Sequence, residues 1–266
     1  MKIVVCVKQV PDPEAPASAF KVDPASNKVI PPPGIPPVMN GFDEQAMEAA
    51  LRIKDKNNAQ VVVLSIGPEG AREVIKKSLA MGGDEGVLIS DPALEDSDAH
   101  GLAYTLAEAI KKIGAVDLVL CGRQASDWDQ AQVPSGVAEL LGLPCVTLAK
   151  AVTLQDGGVR VERILPDGYE IWTTPLPAVI TVSNELGEPR YATLKGIMAA
   201  AKKKVTVWNA GDLGLDKSKV GSSGRRLLVR KLYVPVKEGK CEIMAGDNAQ
   251  EKALALARSL REAKLI

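Results

Sequence analysis

Val116-Asp117-Leu118-Val119-Leu120-Cys121-Gly122-Arg123-Gln124-Ala125-Ser126-Asp127-Trp128-Asp129-Gln130-Ala131-Gln132-Val133-Pro134-Ser135-Gly136-Val137-Ala138-Glu139-Leu140-Leu141 is the stretch on which the fold turns. Val116–Cys121 is an apolar run of strand length, and Val133–Leu141 carries apolar residues at helical spacing. Between them lies a polar loop, and Pro134 suits a first helical turn. A strand that empties through such a loop into a helix is half of a strand-helix-strand unit with its loop at the carboxyl edge of a sheet.

The same alternation runs back to the start of the chain. Lys2–Lys8 is a β-branched run, as a strand buried on both faces would be. Asp43–Lys56 follows as a helix, with Asp43 as its expected N-cap. Val61–Ile66 and Gly86–Ser90 are further strands; Glu69–Met81 and Asp98–Ile113 are further helices, the last with Leu102, Leu106 and Ile110 on one side. Short Gly or Pro joints between such elements demand right-handed crossovers. The fold class is therefore α/β: a doubly wound, mostly parallel, Rossmann-like sheet.

Downstream the texture changes. Val146–Leu154 and Gly158–Ile164 flank Gln155-Asp156-Gly157, a hairpin with an Asp-Gly turn, and Tyr169–Thr173 and Ala178–Val182 add strands. These extend or cap the sheet. Asn209–Gly224 has the composition of a linker, Arg225–Val236 reads as extended, and Asn248–Leu265 as a terminal helix. The expected division is an α/β domain over residues 1–208 and a linker plus C-terminal arm over 209–266. The apolar face of the last helix needs cover, from a partner or from the chain's own body.

Composition narrows the function. Of 266 residues 46% are hydrophobic and 25% charged, with Lys+Arg and Asp+Glu equal at 33 each. That balance excludes wholesale disorder and argues against a nucleic-acid binder, which needs a basic excess. The longest apolar runs have strand length rather than the roughly 20 residues a bilayer needs, and no export signal is legible before Lys8. Cys6, Cys121, Cys145 and Cys241 are far apart, so buried, reduced thiols in a cytoplasmic protein are expected. With one histidine, His100, and no clustered thiolates, no metal site is expected. Redox chemistry would need a borrowed cofactor.

Two segments could carry chemistry. The loop Gly122–Gln132 aims backbone N–H groups at the sheet's carboxyl edge, where a phosphate gains from hydrogen bonds and the helix dipole. Asp127 and Asp129 would repel that anion unless they face ribose hydroxyls or cap the helix. Spacing alone leaves a nucleotide site and an ordinary polar loop both open. No G-x-G-x-x-G follows a strand and no P-loop motif is present. The Pro-rich excursion from Pro11 to Asn40 leaves the same edge and reads equally as a binding loop or a stiff hairpin. The second segment runs from Val182 through Glu188-Pro189-Arg190-Tyr191-Ala192-Thr193-Leu194 and Ile197-Met198 to Lys202-Lys203-Lys204. An apolar knob rimmed by charge reads as a docking surface, with Leu194 as anchor.

At these two segments the chain closely resembles the β subunits of electron transfer flavoproteins. The Glu188–Lys204 run carries the likeness most specifically. Val7-Lys8-Gln9-Val10-Pro11, Ala80-Met81-Gly82-Gly83-Asp84, and Gly122-Arg123-Gln124-Ala125 with Asp127, Asp129 and Gln132 support it. The resemblance implies an electron carrier, not an enzyme, paired with an α subunit that holds most of the FAD. It implies an adenine nucleotide on this subunit, AMP in simple carriers or a second FAD in electron-bifurcating ones. The implied nucleotide contacts are Cys6, Asn40, Gly41, Phe42, Asp43, Ile66, Gln124, Ala125, Ser126, Asp127, Asp129, Gln132, Val133, Pro134 and Ser135. The implied docking loop spans 191–200 with Tyr191, Ala192, Thr193, Leu194, Ile197 and Met198, and the C-terminal arm embraces the α subunit. Implied partners are an acyl-CoA dehydrogenase-type flavoenzyme as donor and a membrane quinone reductase as acceptor. Ala99 and Leu102 stand where bifurcating members carry threonines, which favours AMP; Pro134 stands where many members have glycine.

Overall fold

The computed structural model describes residues 1–235, 239 and 241–266. A nine-stranded sheet forms its centre. Its parallel part comprises β1 (Lys2–Cys6), β6 (Gln60–Ile66), β7 (Glu85–Ile89), β8 (Leu118–Gly122), β12 (Ala178–Val182) and β13 (Val205–Trp208). The antiparallel meander β9 (Cys145–Gln155), β10 (Gly158–Leu165) and β11 (Gly168–Pro175) continues it, in the order β11-β10-β9-β12-β8-β1-β6-β7-β13. β9 itself pairs parallel with β12.

Alternation of side chains along these strands creates two cores. Ile3, Val5, Val61, Val63, Leu118 and Leu120 face α1 (Gly41–Lys56) and α2 (Arg72–Met81). Val4, Cys6, Val62, Leu64, Val119 and Cys121 face α3 (Ala99–Ile113) and α4 (Val133–Leu141). Both faces are covered, so the buried positions of β1, β6 and β8 are apolar, with Ser65 near the end of β6 as the exception. At roughly 1.5–3 kcal/mol for each large side chain fully buried, these layers dominate the stability. The chain runs from β1 to β6 on one side and reaches β8 on the other. The order therefore reverses between β1 and β8, where such sheets open a crevice.

Several expectations are corrected. Asn40, not Asp43, takes the N-cap position of α1; Asp43 lies one turn in and is buried. The second helix begins as a 3-10 turn at Glu69–Ala71 before α2 proper. The edge strand β13 was not anticipated: Val205-Thr206-Val207-Trp208 follows three lysines that masked its alternation. The Pro-rich excursion contains a ribbon of β2 (Gln9–Val10) with β5 (Val38–Met39) and a hairpin of β3 (Lys21–Asp23) with β4 (Lys28–Ile30). Cys145 and Cys241 are exposed, whereas Cys6 and Cys121 are buried. No strand forms in the described residues of 225–236; Val236 lies outside them.

Residues 209–224 do not behave as their composition suggested. Ala210, Leu213, Leu215 and Val220 are buried in the α3/α4 core. Polar ties accompany them: Ala210 N donates to Asp91 Oδ2 at 2.9 Å and Gly221 N to Ser97 Oγ at 2.7 Å. Four spaced apolar side chains suffice to hold a Gly- and Asp-rich segment down. The compact units divide later, into Met1–Leu232 and Tyr233–Ile266. The second contains α7 (Ala249–Glu262) in sequence beyond the four-residue α6 (Gly221–Gly224). Asn248 caps α7 through Glu251 N at 2.9 Å, and Leu254 and Leu256 are exposed. No helix among the described residues is long and apolar enough to cross a membrane.

Limited proteolysis should therefore spare 209–224 and cut first beyond Leu232. Mass mapping of early fragments tests this, and early cleavage between Asn209 and Gly224 would contradict the packing.

Candidate functional site

At the β1/β8 reversal lies a cavity of about 570 Å³. That is within the usual range for small-molecule sites, roughly 300–1,000 Å³. Its floor is the carboxyl ends of β1, β6 and β8, with Cys6, Leu64, Ile66, Cys121 and Gly122. One wall is the loop from Gln124 to Pro134, and another is the start of α3 with Ala99, Leu102 and Leu106. The hairpin tip Ser26-Asn27-Lys28 and the segment Leu227–Val229 complete the rim.

Asp43 organises the floor. Its Oδ2 accepts from Lys8 N at 2.8 Å and its Oδ1 from Gly122 N at 3.0 Å, joining the ends of both strands to α1. Burial pushes its carboxyl up to about 7, against those two amide bonds, which favour the anion. Position 122 has to be glycine: a Cβ there would lie 2.4 Å from Asp43 Oδ1 and 2.7 Å from Phe42.

Asn40 shapes the loop from behind. Its amide nitrogen donates to Gln124 O at 2.8 Å, and its oxygen accepts from Ser126 N at 3.2 Å. Asp129 and Ala131 adopt left-handed backbone, φ 49° and 53°. Non-glycine residues in that region are strained, and alternation of this kind turns successive N–H groups into an anion-binding concavity. Among the described residues no backbone carbonyl accepts from the N–H groups of Gln130, Ala131, Gln132 and Val133, which stand at the start of α4. The two carboxylates that would repel an anion are engaged elsewhere. Asp127 pairs with Lys8 Nζ at 2.6 Å, and Asp129 accepts from Gln124 Nε2 at 2.7 Å. The donor set fits a phosphate, and the apolar walls fit a purine.

Of the residues expected to bind nucleotide, the cavity wall brings together Cys6, Asp43, Ile66, Gln124, Ala125, Gln132, Val133 and Pro134. Asn40, Ser126, Asp127 and Asp129 lie behind it through the bonds above. Gly41 only opens α1, and Phe42 packs under the Arg123 guanidinium, 5.3 Å from its ring centre. Ser135 is exposed on α4 and is not among the residues lining the cavity. Sequence reasoning missed Asn27, Lys28, Asp98 and Leu227–Val229. Lys28 Nζ reaches Glu95 at 2.8 Å and Asp96 at 3.0 Å, and Asp98 Oδ2 accepts from Arg226 N and Leu227 N at 2.6 and 3.0 Å. Only the Pro-rich excursion, leaving β1 at the right edge, hinted at them. No group of three His, Cys, Asp or Glu side chains suited to a metal occurs among the described residues.

The second segment forms a separate surface. Tyr191, Leu194, Ile197 and Met198 are exposed, Leu194 at 74%. They sit on and before α5 (Leu194–Lys202), which Thr193 caps through Gly196 N at 3.0 Å. Thr193 is therefore a cap, and Ala192 packs against the α1/α2 core rather than standing outward. The base of the loop is braced by the buried Glu48, which accepts from Arg190 N and Nε at 3.1 and 2.8 Å and from Arg52 Nε at 2.8 Å. Burial pushes the Glu48 carboxyl up, but the two guanidinium groups outweigh it and hold it below the usual range. Lys76 Nζ ties the far end, donating to Ala200 O at 2.8 Å and Lys203 O at 2.6 Å.

Comparison with known proteins gives these features a context. The sequence model described as electron transfer flavoprotein domain matches residues 34–213. A relative from Acetobacterium woodii, the caffeyl-CoA reductase-Etf complex subunit CarD, is 40% identical over all of both chains. The electron transfer flavoprotein subunit beta of Megasphaera elsdenii is 36% identical over 96% of this chain and 95% of its own. Protein FixA of Azorhizobium caulinodans is 37% identical over 88% and 85%.

Asp43 should leave a pH signature. Its folded value, about 7, exceeds the unfolded value near 4, so the folded state holds the proton more tightly. The stabilisation is complete below about pH 4 and disappears as pH rises through about 7. The stability difference between wild type and Asp43→Asn should shift against wild type by on the order of 1–4 kcal/mol between about pH 4 and 8. Urea unfolding across that range measures it; a pH-independent difference would remove the buried proton.

Proposed function

The chain belongs to the electron transfer flavoprotein family, as an electron-carrier subunit of the β type rather than an enzyme, and from that premise we propose how it works. It pairs with an α subunit that carries the FAD, and it holds AMP in the β1/β8 cavity as a structural ligand. The flavin, when bound to the complex, supplies the electron acceptance and release that no side chain of this polypeptide provides. This chain's contribution is to bind, orient and dock. It meets an acyl-CoA dehydrogenase-type flavoenzyme through Leu194, and the complex passes electrons to a membrane quinone reductase. The free thiols Cys6 and Cys121 suit a reducing, cytoplasmic setting. The segment beyond Leu232, rather than the packed 209–224, contributes the arm toward the α subunit.

The observation that carries this reading is the exposed quartet of Tyr191, Leu194, Ile197 and Met198 on a braced helix. Large apolar side chains left outside a chain with ample core mark a partner surface. Lys195, Lys202 and Lys204 stand beside it, suited to an acidic rim on the donor. AMP is supported by the phosphate-ready N–H groups before α4 and by Ala99 and Leu102, which offer no hydroxyl to a larger ligand.

A second reading has its own support. The cavity continues past the loop toward Leu227, Leu228 and Val229, an apolar outer wall that would suit the ring system of a second FAD in an electron-bifurcating form. The name of the Acetobacterium woodii relative likewise favours service to an acyl-CoA reductase within a stable complex. A free nucleotide-sensing module, the reading from another class, has no use for the exposed docking helix.

Denaturing the purified heterodimer and counting cofactors separates the two forms: one flavin and one AMP are expected, and two flavins would replace AMP with FAD. Leu194→Ala should raise the KM for the donor flavoenzyme on the order of tenfold, about 1.4 kcal/mol, while the heterodimer stays intact. Unchanged steady-state kinetics would refute the docking role.

A further inference from the structure

The electron-carrier reading makes no use of the two thiols in the cavity floor. Cys6 and Cys121 are directly opposite each other in the parallel ladder of β1 and β8. Residues opposite each other in such a ladder project to the same face, from strands about 4.8 Å apart. Both side chains are buried, at 8% and 4% exposure, and both line the cavity. Cys6 is the first of the groups that push the Cys121 thiol up, as a close thiol neighbour would. We propose that this pair is a dithiol binding site for a thiophilic centre that takes two sulfur ligands, a trivalent arsenical being the defining case, entered through the cavity.

The geometry selects a bridging atom over a disulfide. A disulfide wants Cβ atoms roughly 3.5–4.5 Å apart, closer than neighbouring strands of a parallel sheet place them. Closing it would draw together two central strands that are each held on both sides. A bridging atom spans the gap with the strands in place. Reactivity points the same way. The neighbouring Cys6 thiol, and then burial, push the Cys121 thiol up, so it is a poor thiolate nucleophile at neutral pH. An arsenous oxide needs no preformed thiolate: two As–S bonds form, the As–O bond breaks, and the two thiol protons leave with that oxygen as water. No electron changes hands. The other cysteines offer nothing equivalent, because Cys145 and Cys241 are single and exposed.

Among the described residues, the cavity that the pair lines is the one in which the proposed nucleotide sits, so that ligand should shield it. This last point rests on the nucleotide reading; the dithiol itself does not.

The probe is phenylarsine oxide, applied to the purified full-length chain with and without AMP. Intact mass should show one phenylarsenic group per chain with loss of two titratable thiols. The adduct should survive 2-mercaptoethanol and be released by 2,3-dimercaptopropanol. Peptide mapping after alkylation of the denatured adduct should find Cys6 and Cys121 protected in wild type, which needs no variant to fold. Cys6→Ser and Cys121→Ser should each abolish the dithiol-resistant adduct, and Cys145→Ser should keep it. AMP at about ten times its Kd should slow modification about tenfold. Absence of an adduct, or its persistence in Cys6→Ser, overturns the proposal. An adduct on Cys6 and Cys121 that forms equally fast with AMP upholds the dithiol and overturns the placement of the nucleotide.

Discussion

One buried carboxylate holds the architecture of the site together. Asp43 accepts an N–H from Lys8, two residues beyond β1, and another from the last residue of β8. Those two strands are where the sheet order reverses, so nothing else in a doubly wound topology guarantees that their ends stay in register above the last ladder bond. The clamp fixes the floor of the cavity and the start of α1 at once. It also dictates Gly122, since no Cβ can share that space, and it leaves Asn40 free to template the loop that follows β8. A single burial cost, visible in the raised carboxyl, is offset by the order it imposes on three elements.

Most of the fold was legible because its signals are local. Strands β1, β6, β7, β8 and β12 are continuous apolar runs, and α1, α3 and α4 carry one-sided apolar spacing, so their existence and their order follow from periodicity. The helix expected over Asp98–Ile113 forms over Ala99–Ile113, with Asp98 one position outside it as the cap, bound through Gly101 N at 3.0 Å. What escaped is non-local. Whether 209–224 is a tether or a packed strip depends on four apolar side chains meeting a core made by residues a hundred positions earlier. Asp43 resembled an N-cap because aspartate near a helix start usually is one; only the tertiary placement of Lys8 and Gly122 gives it other donors. The site divides in the same way. The loop after β8 announces itself by following a strand and preceding a helix, whereas Asn27, Lys28 and Leu227–Val229 reach the cavity from distant segments with no motif of their own.

The two functional surfaces differ in how they are made. The cavity is assembled from strand ends and loops, with its anion-ready groups supplied by backbone. The proposed docking knob is supplied by side chains on and just before one short helix, which is braced from below: Arg190 and Arg52 converge on Glu48, while Lys76 ties the carbonyls at the helix end. Because Glu48 is buried, removing either guanidinium would leave its carboxylate with a single counter-charge and an unfilled acceptor position, which keeps the brace cooperative.

Gly196 brings α5 against the end of α2 so closely that a Cβ would lie 2.3 Å from Ala80 O. Backbone resting on backbone has almost no compliance. The backbone of the proposed docking knob therefore has little freedom to mould itself to a partner, and in that reading most of the ordering cost of an encounter falls on the partner's side of the contact. Selectivity among redox donors is then a matter of which of them already has a recess of the right depth, a lock shaped in advance on this side and searched for on the other.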